Sequence, residues 1–440
     1  MNRLIPLVLF IAFVAPFPAH GQETIIKKDE LLTLDRCVEI ALMKHPTIVA
    51  ARNNVLAGQS RVFEARSAYY PQIAANAGYS RTKSLASLLR TSTTGTGGTL
   101  LSGGSGSSFD QYSGSITLSQ NIYDFGKTGS QVDIQKLGLD ASRSDLDTTV
   151  DQVLFGVKQA YYGALQAKRK RDVAEETVKQ FQQHLEQAKG FYEVGTKPKF
   201  DVTKAEVDLS NSRLNLIKAE NSVKVAKVTL NNALGAPDAP EYLIEDNLAF
   251  QKYEMSFQQA IETAYKNRPD LQSLLWKRMA AERSIDLART GFYPALTGTA
   301  AYNRGGRSGF QDEGWNVGVG LTFPIFSGFL TRNQVEEAKA NLAAARANEE
   351  TLKQSIYLDV QQAYLNLGLA EDSINNTQLT VQQATENFEI ANGRYAAGVG
   401  NPIEVTDAEV SLANAKTGHI QALYDYKVAR ASIERAMGLR

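Results

Sequence analysis

The chain has 440 residues, with 47 Lys plus Arg against 47 Asp plus Glu, and so a formal net charge of zero. That balance excludes the basic excess by which a duplex binder neutralises phosphates, and it excludes an acidic disordered tail. A single cysteine, Cys37, excludes an intrachain disulfide, and the scattered histidines His20, His45, His184 and His419 leave no Cys/His zinc site.

The first element is a targeting segment. Arg3 supplies a positive charge, and Leu7 to Ala15 is an unbroken apolar run of nine residues. Pro16, Pro18, Ala19 and Gly21 follow, which is the layout of a secretory signal peptide over residues 1–21. The run is too short for a membrane-spanning helix, which needs ~20 apolar residues. The residue after Gly21 is Gln22 and not a cysteine that could carry a lipid anchor at the expected cleavage site. No later stretch approaches ~18 apolar residues, so any membrane role falls to strands or to a surface.

Two repeats follow, expected over 22–240 and 241–440. Leu34 to Pro46 (LDRCVEIALMKHP) is echoed 223 positions later by Phe257 to Pro269 (FQQAIETAYKNRP). Ala68-Tyr-Tyr-Pro71 matches Gly291-Phe-Tyr-Pro294 at the same offset. The offset then falls to 203, where Val157 to Tyr161 matches Val360 to Tyr364 and Leu234-Gly235 matches Met437-Gly438. The first repeat therefore carries about 20 extra residues, and Thr91 to Ser108 holds Gly, Ser or Thr at 16 of 18 positions. Such a composition reads as a flexible solvated loop.

Within the first repeat the patterns predict a helix over about 34–70, strands over about 72–82 and 110–123, and helices over 127–192 and 202–234. The second repeat predicts a helix over 256–292, strands over 295–304 and 314–326, and helices over 330–395 and 405–437. Tyr112, Gly114, Ile116 and Leu118 alternate with Ser113, Ser115, Thr117 and Ser119. Trp315, Val317, Val319, Leu321 and Phe323 alternate with smaller or polar residues. These are period-two strands of bilayer length, with aromatics near their ends. A soluble hairpin with one wet face gives the same alternation.

The two longest helices contain no proline, and 65 residues extend ~100 Å. Leu352, Ile356, Val360, Ala363, Leu367, Ala370 and Ile374 advance by steps of 4, 4, 3, 4, 3 and 4. That spacing packs one helix along another, and the shorter helices fold back as partners. Four strands cannot close a barrel, so a membrane reading requires sharing between chains: two would give eight strands and three would give twelve.

The paired YYP and FYP hairpin entries, the IYDFGK and IFSGFL strand exits, and the turns YEVGTKPKFDV and YAAGVGNPIEVTDAE stand in register in the two copies. On these motifs the chain, from about Leu34 to Gly438, resembles the TolC family of outer membrane efflux proteins. The resemblance implies an α+β membrane protein of two structural repeats. Three chains would contribute four strands each to a twelve-stranded barrel in outer membrane lipid, and the long helical hairpins would form a periplasmic α-barrel. It implies the outer membrane of a Gram-negative bacterium, a homotrimer, a periplasmic adaptor and an inner-membrane pump of the RND or ABC type. It implies export of small molecules or proteins, with no cofactor, no metal, no nucleic acid and no catalysis.

Carried over position by position, the resemblance puts a periplasmic gate at Glu404 and Asp407, with Asp201 in the closing polar network. The family's basic partner on the second turn falls on Gly400. Lys197, Lys199 and Lys204 bring positive charge to the region instead, so a Lys204–Asp407 or Lys199–Glu404 pair is one expectation and a solvated charge cluster another. Glu404 reads equally as the third helical residue of a capping box after Asn401 and Pro402. The adaptor-contact tips are expected at Gly195, Thr196, Lys197 and Pro198, and at Gly398, Val399, Gly400 and Asn401. Asp124-Phe125-Gly126 spells a kinase magnesium motif without its companion motifs and reads as a strand exit. The competing class is a soluble periplasmic coiled-coil scaffold or pump adaptor without a pore. A barrel enzyme finds no nucleophile–base constellation.

Overall fold

The computed structural model describes residues 26–83 and 108–440. The expected signal peptide, and the Gly/Ser/Thr-rich segment up to residue 107, lie outside the described residues.

A two-residue strand, β1 (Leu31–Leu32), opens the fold, followed by helices α1 (Leu34–Lys44) and α2 (Pro46–Arg66). The single helix expected over 34–70 is therefore two. The residue before a proline is pushed out of the helical region, and His45 accordingly has φ −61° and ψ 121°, with Pro46 starting the next helix. The second repeat breaks identically: α5 (Phe257–Asn267) and α6 (Pro269–Arg289), described below, meet at Arg268 with φ −63° and ψ 120°. Strands β2 (Gln72–Lys83) and β3 (Ser108–Tyr123) lead to the long helix α3 (Lys127–Glu193) and its return α4 (Lys199–Leu234). A second short strand, β4 (Leu243–Ile244), pairs in parallel with β1. After α5 and α6 come β5 (Ala295–Gly306), β6 (Asp312–Thr322), α7 (Leu330–Ala396) and α8 (Pro402–Ala436). Strand β6 stops at Thr322, short of the expected 326, because Pro324 has no N–H for the ladder. The strand-to-helix turns are left-handed in both copies, through Phe125-Gly126 and Gly328-Phe329.

The four long strands form one antiparallel sheet in the order β2-β3-β5-β6. Its register sets Tyr79 beside Tyr112, Ile116 beside Tyr302, and Tyr302 beside Trp315. Residues directly opposite share a face, so one face carries Ile73, Tyr79, Tyr112, Ile116, Leu118, Tyr302, Trp315 and Val317. The other carries Ser113, Ser115, Thr117, Ser119, Asn303 and Asn316. In the single chain the apolar face is open: Trp315, Val317, Val319 and Leu321 are 66–75% exposed.

The helices form two tiers. Near the sheet the neighbours run α2, α3, α6, α7; away from it they run α4, α3, α8, α7. The main core lies where the tiers meet and includes Cys37, Ile40, Tyr161, Leu165, Ala260, Ile356, Val360, Tyr426 and Ile433. Each return helix ends on a left-handed glycine seated against a helix break. A Cβ on Gly235 would lie 2.8 Å from His45 Cα, and one on Gly438 would lie 2.9 Å from the Asn267 carbonyl carbon. Glycine alone combines φ near +70° with that approach.

The linker between repeats is a strap across α3 and α8. Tyr161 Oη donates to the Glu245 carbonyl at 2.8 Å, and Arg169 grips Asp246 through two hydrogen bonds of 2.9 and 2.8 Å. On the α8 side Tyr426 Oη donates to the Gln251 carbonyl, and Phe250 packs edge-on against Tyr426.

Candidate functional site

The site is the pair of helical turns farthest from the sheet, with the seam behind them. In the first turn Gly195 adopts φ +75°, and the Phe191 carbonyl accepts from Thr196 N at 2.9 Å and Lys197 N at 3.3 Å. In the second, Gly398 adopts φ +78°, and the Arg394 carbonyl accepts from Val399 N at 3.1 Å and Gly400 N at 2.9 Å. Both bond sets satisfy end-of-helix carbonyls. Gly400 is packed so closely that a Cβ would lie 2.6 Å from Tyr395 N. No side chain, basic or otherwise, fits there without moving backbone. Asn401 Oδ1 accepts from Ile403 N at 3.0 Å and Pro402 opens α8, so the cap is Asn401 itself.

Lys197 crosses from one turn to the other. Its Nζ donates to the Gly400 carbonyl at 3.1 Å and lies 5.7 Å from the centroid of the Tyr395 ring. Tyr395 is fully buried and packs on His184 and Phe191. The cation therefore comes from the first turn, not from the second as the resemblance implied.

Neither charge pair expected across the mouth forms. Lys204 pairs with Asp208, one turn along its own helix, at 3.1 Å, and Asp208 Oδ2 accepts from Thr406 Oγ1 of α8 at 3.0 Å. Glu404 lies 3.6 Å from Arg394 of α7, with both side chains about half exposed. Lys199 has no ion pair among the described residues. Geometry explains the difference: helical i,i+4 spacing puts Asp208 in direct reach of Lys204, whereas Asp407 points to an open groove. That groove, about 380 Å³, is lined by Asn387, Arg394, Glu404, Asp407 and Ser411. Asp407 is exposed and forms no ion pair among the described residues. Asp201 is buried in the first turn of α4, where the helix N-terminus favours a carboxylate. Its charge acts on both His184 and Tyr395.

Three groups of this region are given no role by the turn motifs: His184, Asp208 and Glu409, the last of which closes the motif YAAGVGNPIEVTDAE. Burial holds the His184 imidazole below its ordinary range, with Asp208 and Asp201 opposing. Glu409 is 2% exposed and its Oε1 has no hydrogen-bond partner. A sequence signal for it exists. Val405, Ala408 and Leu412 define the buried stripe of α8, and Glu409 is the carboxylate standing on it. Among the described residues no cluster of His, Cys, Asp and Glu could hold a metal ion, and no helix is long and apolar enough to cross a membrane.

Comparison with known proteins gives a consistent result. The profile of a family described as "Outer membrane efflux protein" matches residues 37–236 and 260–439, one block in each repeat. The outer membrane protein TolC of Escherichia coli (strain K12) is 23% identical over 457 residues, covering 100% of this chain and 87% of that protein. Among solved structures, CusC superposes with a TM-score of 0.79 at 18% identity, covering 96% of this chain and 95% of that one. The Campylobacter jejuni CmeC outer membrane channel gives 0.76 at 20% identity, covering 92% and 85%.

Proposed function

The chain belongs to the outer membrane efflux protein family, and from that premise we propose that it is the outer membrane channel of a tripartite export system. It sits in the outer membrane of a Gram-negative bacterium, with its helices extending into the periplasm, and works as a homotrimer. It acts as a conduit rather than an enzyme, in keeping with a family of channel proteins. Its partners are a periplasmic adaptor, met at the two tips, and an inner-membrane pump. Its cargo is small molecules or proteins.

The observation that carries this reading is the open four-stranded sheet with an exposed apolar face. Backbone groups cannot be left unpaired in lipid, so the outer edges of β2 and β6 need partners. Because four antiparallel strands alternate in direction, β6 of one chain meets β2 of the next in antiparallel sense. Three copies give twelve strands, with the apolar face outward and the Ser/Thr/Asn face lining the pore.

The helices support the same closure. Within one chain α3 packs against α6 of the second repeat. The internal repeat makes α7 the counterpart of α3, and α2 the counterpart of α6. In a closed ring, α7 therefore receives α2 of the next chain, and α4 below it. The exposed surfaces fit. Val49, Leu56 and Phe63 recur every seven residues on α2, while Leu214, Ile217, Val225 and Val228 line α4, and Leu358, Leu365 and Leu369 line α7.

At the mouth, Glu404 and Asp407 from three chains would place six carboxylates around the opening, which favours cations and resists anions. Exposure of both side chains and the open groove at Asp407 support this assignment. The test is conductance across a planar lipid bilayer. The native trimer should give small, cation-preferring steps, and the Glu404→Ala, Asp407→Ala variant should conduct more and lose its preference. Identical traces would return Glu404 and Asp407 to surface charges. A folded protein that never inserts would favour the pore-free scaffold.

A further inference from the structure

The seam between α3 and α8 joins the two repeats and carries polar contacts at intervals along its length, beside the apolar core. From mid-helix towards the tips, Lys158 pairs with Glu434 at 2.9 Å, Gln166 and Lys170 both reach Gln421 Oε1 at 2.9 and 2.8 Å, and Lys416 pairs with Glu176 at 2.8 Å. Nearest the mouth, Thr406 reaches across to Asp208 of α4 at 3.0 Å.

Glu409 breaks this ladder. It lies one helical turn from Thr406 and two from Lys416, almost wholly buried, with an oxygen that no donor reaches. The charges that act on it are Glu176 of α3 and Lys416 of its own helix; α7, the other helix packed on α8, contributes none. His184, Asp208 and Lys204 lie at the neighbouring level of the seam, around Thr406. An ionised carboxylate without a partner is costly in such a place, and a neutral acid is not.

We infer that Glu409 is a proton-loaded pin: it occupies the closed α3–α8 seam as the neutral acid, and its ionisation parts the seam at the mouth. Burial, reinforced by the Glu176 charge and offset by Lys416, pushes its carboxyl up to about 8 from an ordinary value of 4.5. The sign follows from linkage. A raised carboxyl favours the closed seam fully at pH values below the ordinary 4.5. That advantage is lost as pH rises and is gone above about 8. Across that window the open-to-closed ratio rises by up to about tenfold per pH unit, the proton passing to bulk water. His184 acts the other way and only in acid, since its imidazole is held below its ordinary range.

The inference rests on the mouth being a channel entrance, so the test reads the seam and the pore separately. Lys179→Cys on α3 and Ser411→Cys on α8 would carry spin labels in the full-length trimer. Cys37 does not compete, being buried with its thiol pushed up to about 12. The label-to-label distance should lengthen between pH 6 and pH 9 in the otherwise native protein and stay at its pH 6 value in Glu409→Gln. Glu176→Gln should lower the midpoint of the change, and Lys416→Gln should raise it. Should Glu409→Gln fail to assemble, those two opposed shifts decide the matter. A native distance that ignores pH, or a Glu409→Gln profile that tracks the native one, overturns the pin. Distances that follow pH in a protein that never conducts would keep the pin and reject the channel.

Discussion

Lys197 shows how a single position can be re-engineered around a backbone constraint. Gly400 has no space for a side chain, because Tyr395 N stands where a Cβ would sit. The positive charge that the resemblance implied for the second turn is supplied from the first, by Lys197 reaching the Gly400 carbonyl at 3.1 Å. A hydrogen bond to a charged group contributes about 1.5 kcal/mol, close to tenfold in an equilibrium. Lys197→Met should therefore raise the frequency of channel opening roughly tenfold, and Lys197→Arg should restore it. Unchanged opening in Lys197→Met would mean that the two turns are held together by Tyr395 packing alone. The turn motifs place both turns in the sequence but not this contact. Lys197 and Gly400 are 203 positions apart, and nothing in either turn says which lysine will cross. Glu409 was hidden for a related reason. Its own helix marks it as buried, but its loneliness depends on what α3 presents opposite.

At the scale of elements, much was legible because the chain states its plan twice. The long helices, the two hairpins and the strand alternation follow from periodicity, and the structure places them within a few residues. Periodicity fails at punctuation. His45-Pro46 and Arg268-Pro269 each divide what hydrophobic spacing reads as one helix, and Pro324 ends β6 early. The short β1–β4 pair escaped altogether, because two residues carry no period. The exposed face of β6 yields a direct test. Val317→Arg would put a charge into the hydrocarbon layer at a cost of about 2–4 kcal/mol per chain near the midplane. It should sharply reduce the yield of heat-modifiable trimers in the outer membrane. Asn316→Arg, on the opposite face, should assemble normally and alter conductance instead. Equal assembly of the two variants would contradict the assignment of lipid and lumen faces.

The whole molecule is one third of an assembly, and its surface says so. A single chain leaves apolar stripes on α2, α4 and α7 open to water, far beyond the scatter of lone surface leucines. Their heptad-like spacing is that of helices packing lengthwise. Leu365→Asp combined with Leu369→Asp should leave each chain helical by circular dichroism while shifting purified protein from trimer to monomer by light scattering. A trimer of undiminished stability would place those leucines outside the interface. Charge balance also makes sense at this scale: many opposite charges pair within the chain, as in Lys158–Glu434 and Arg440–Asp147.

The strap from Glu245 to Tyr253 has a mechanical meaning. It fastens α3 near Tyr161 and Arg169 and α8 near Tyr426, and between there and the tips the two helices are joined by side-chain contacts such as Lys170–Gln421 and Lys416–Glu176 rather than by a strap. The part of α8 beyond Tyr426, together with the stretch of α7 packed along it, is thus an arm of about 24 residues, ~36 Å long, that can swing as a cantilever from this root. A tilt of about 10° at its root displaces the free end by ~6 Å, enough to change an aperture while the core barely deforms. Leverage of this kind amplifies small forces at the free end into work at the root. It also implies that anything stiffening the root, such as a tighter Arg169–Asp246 grip, would narrow the swing of all three cantilevers at once.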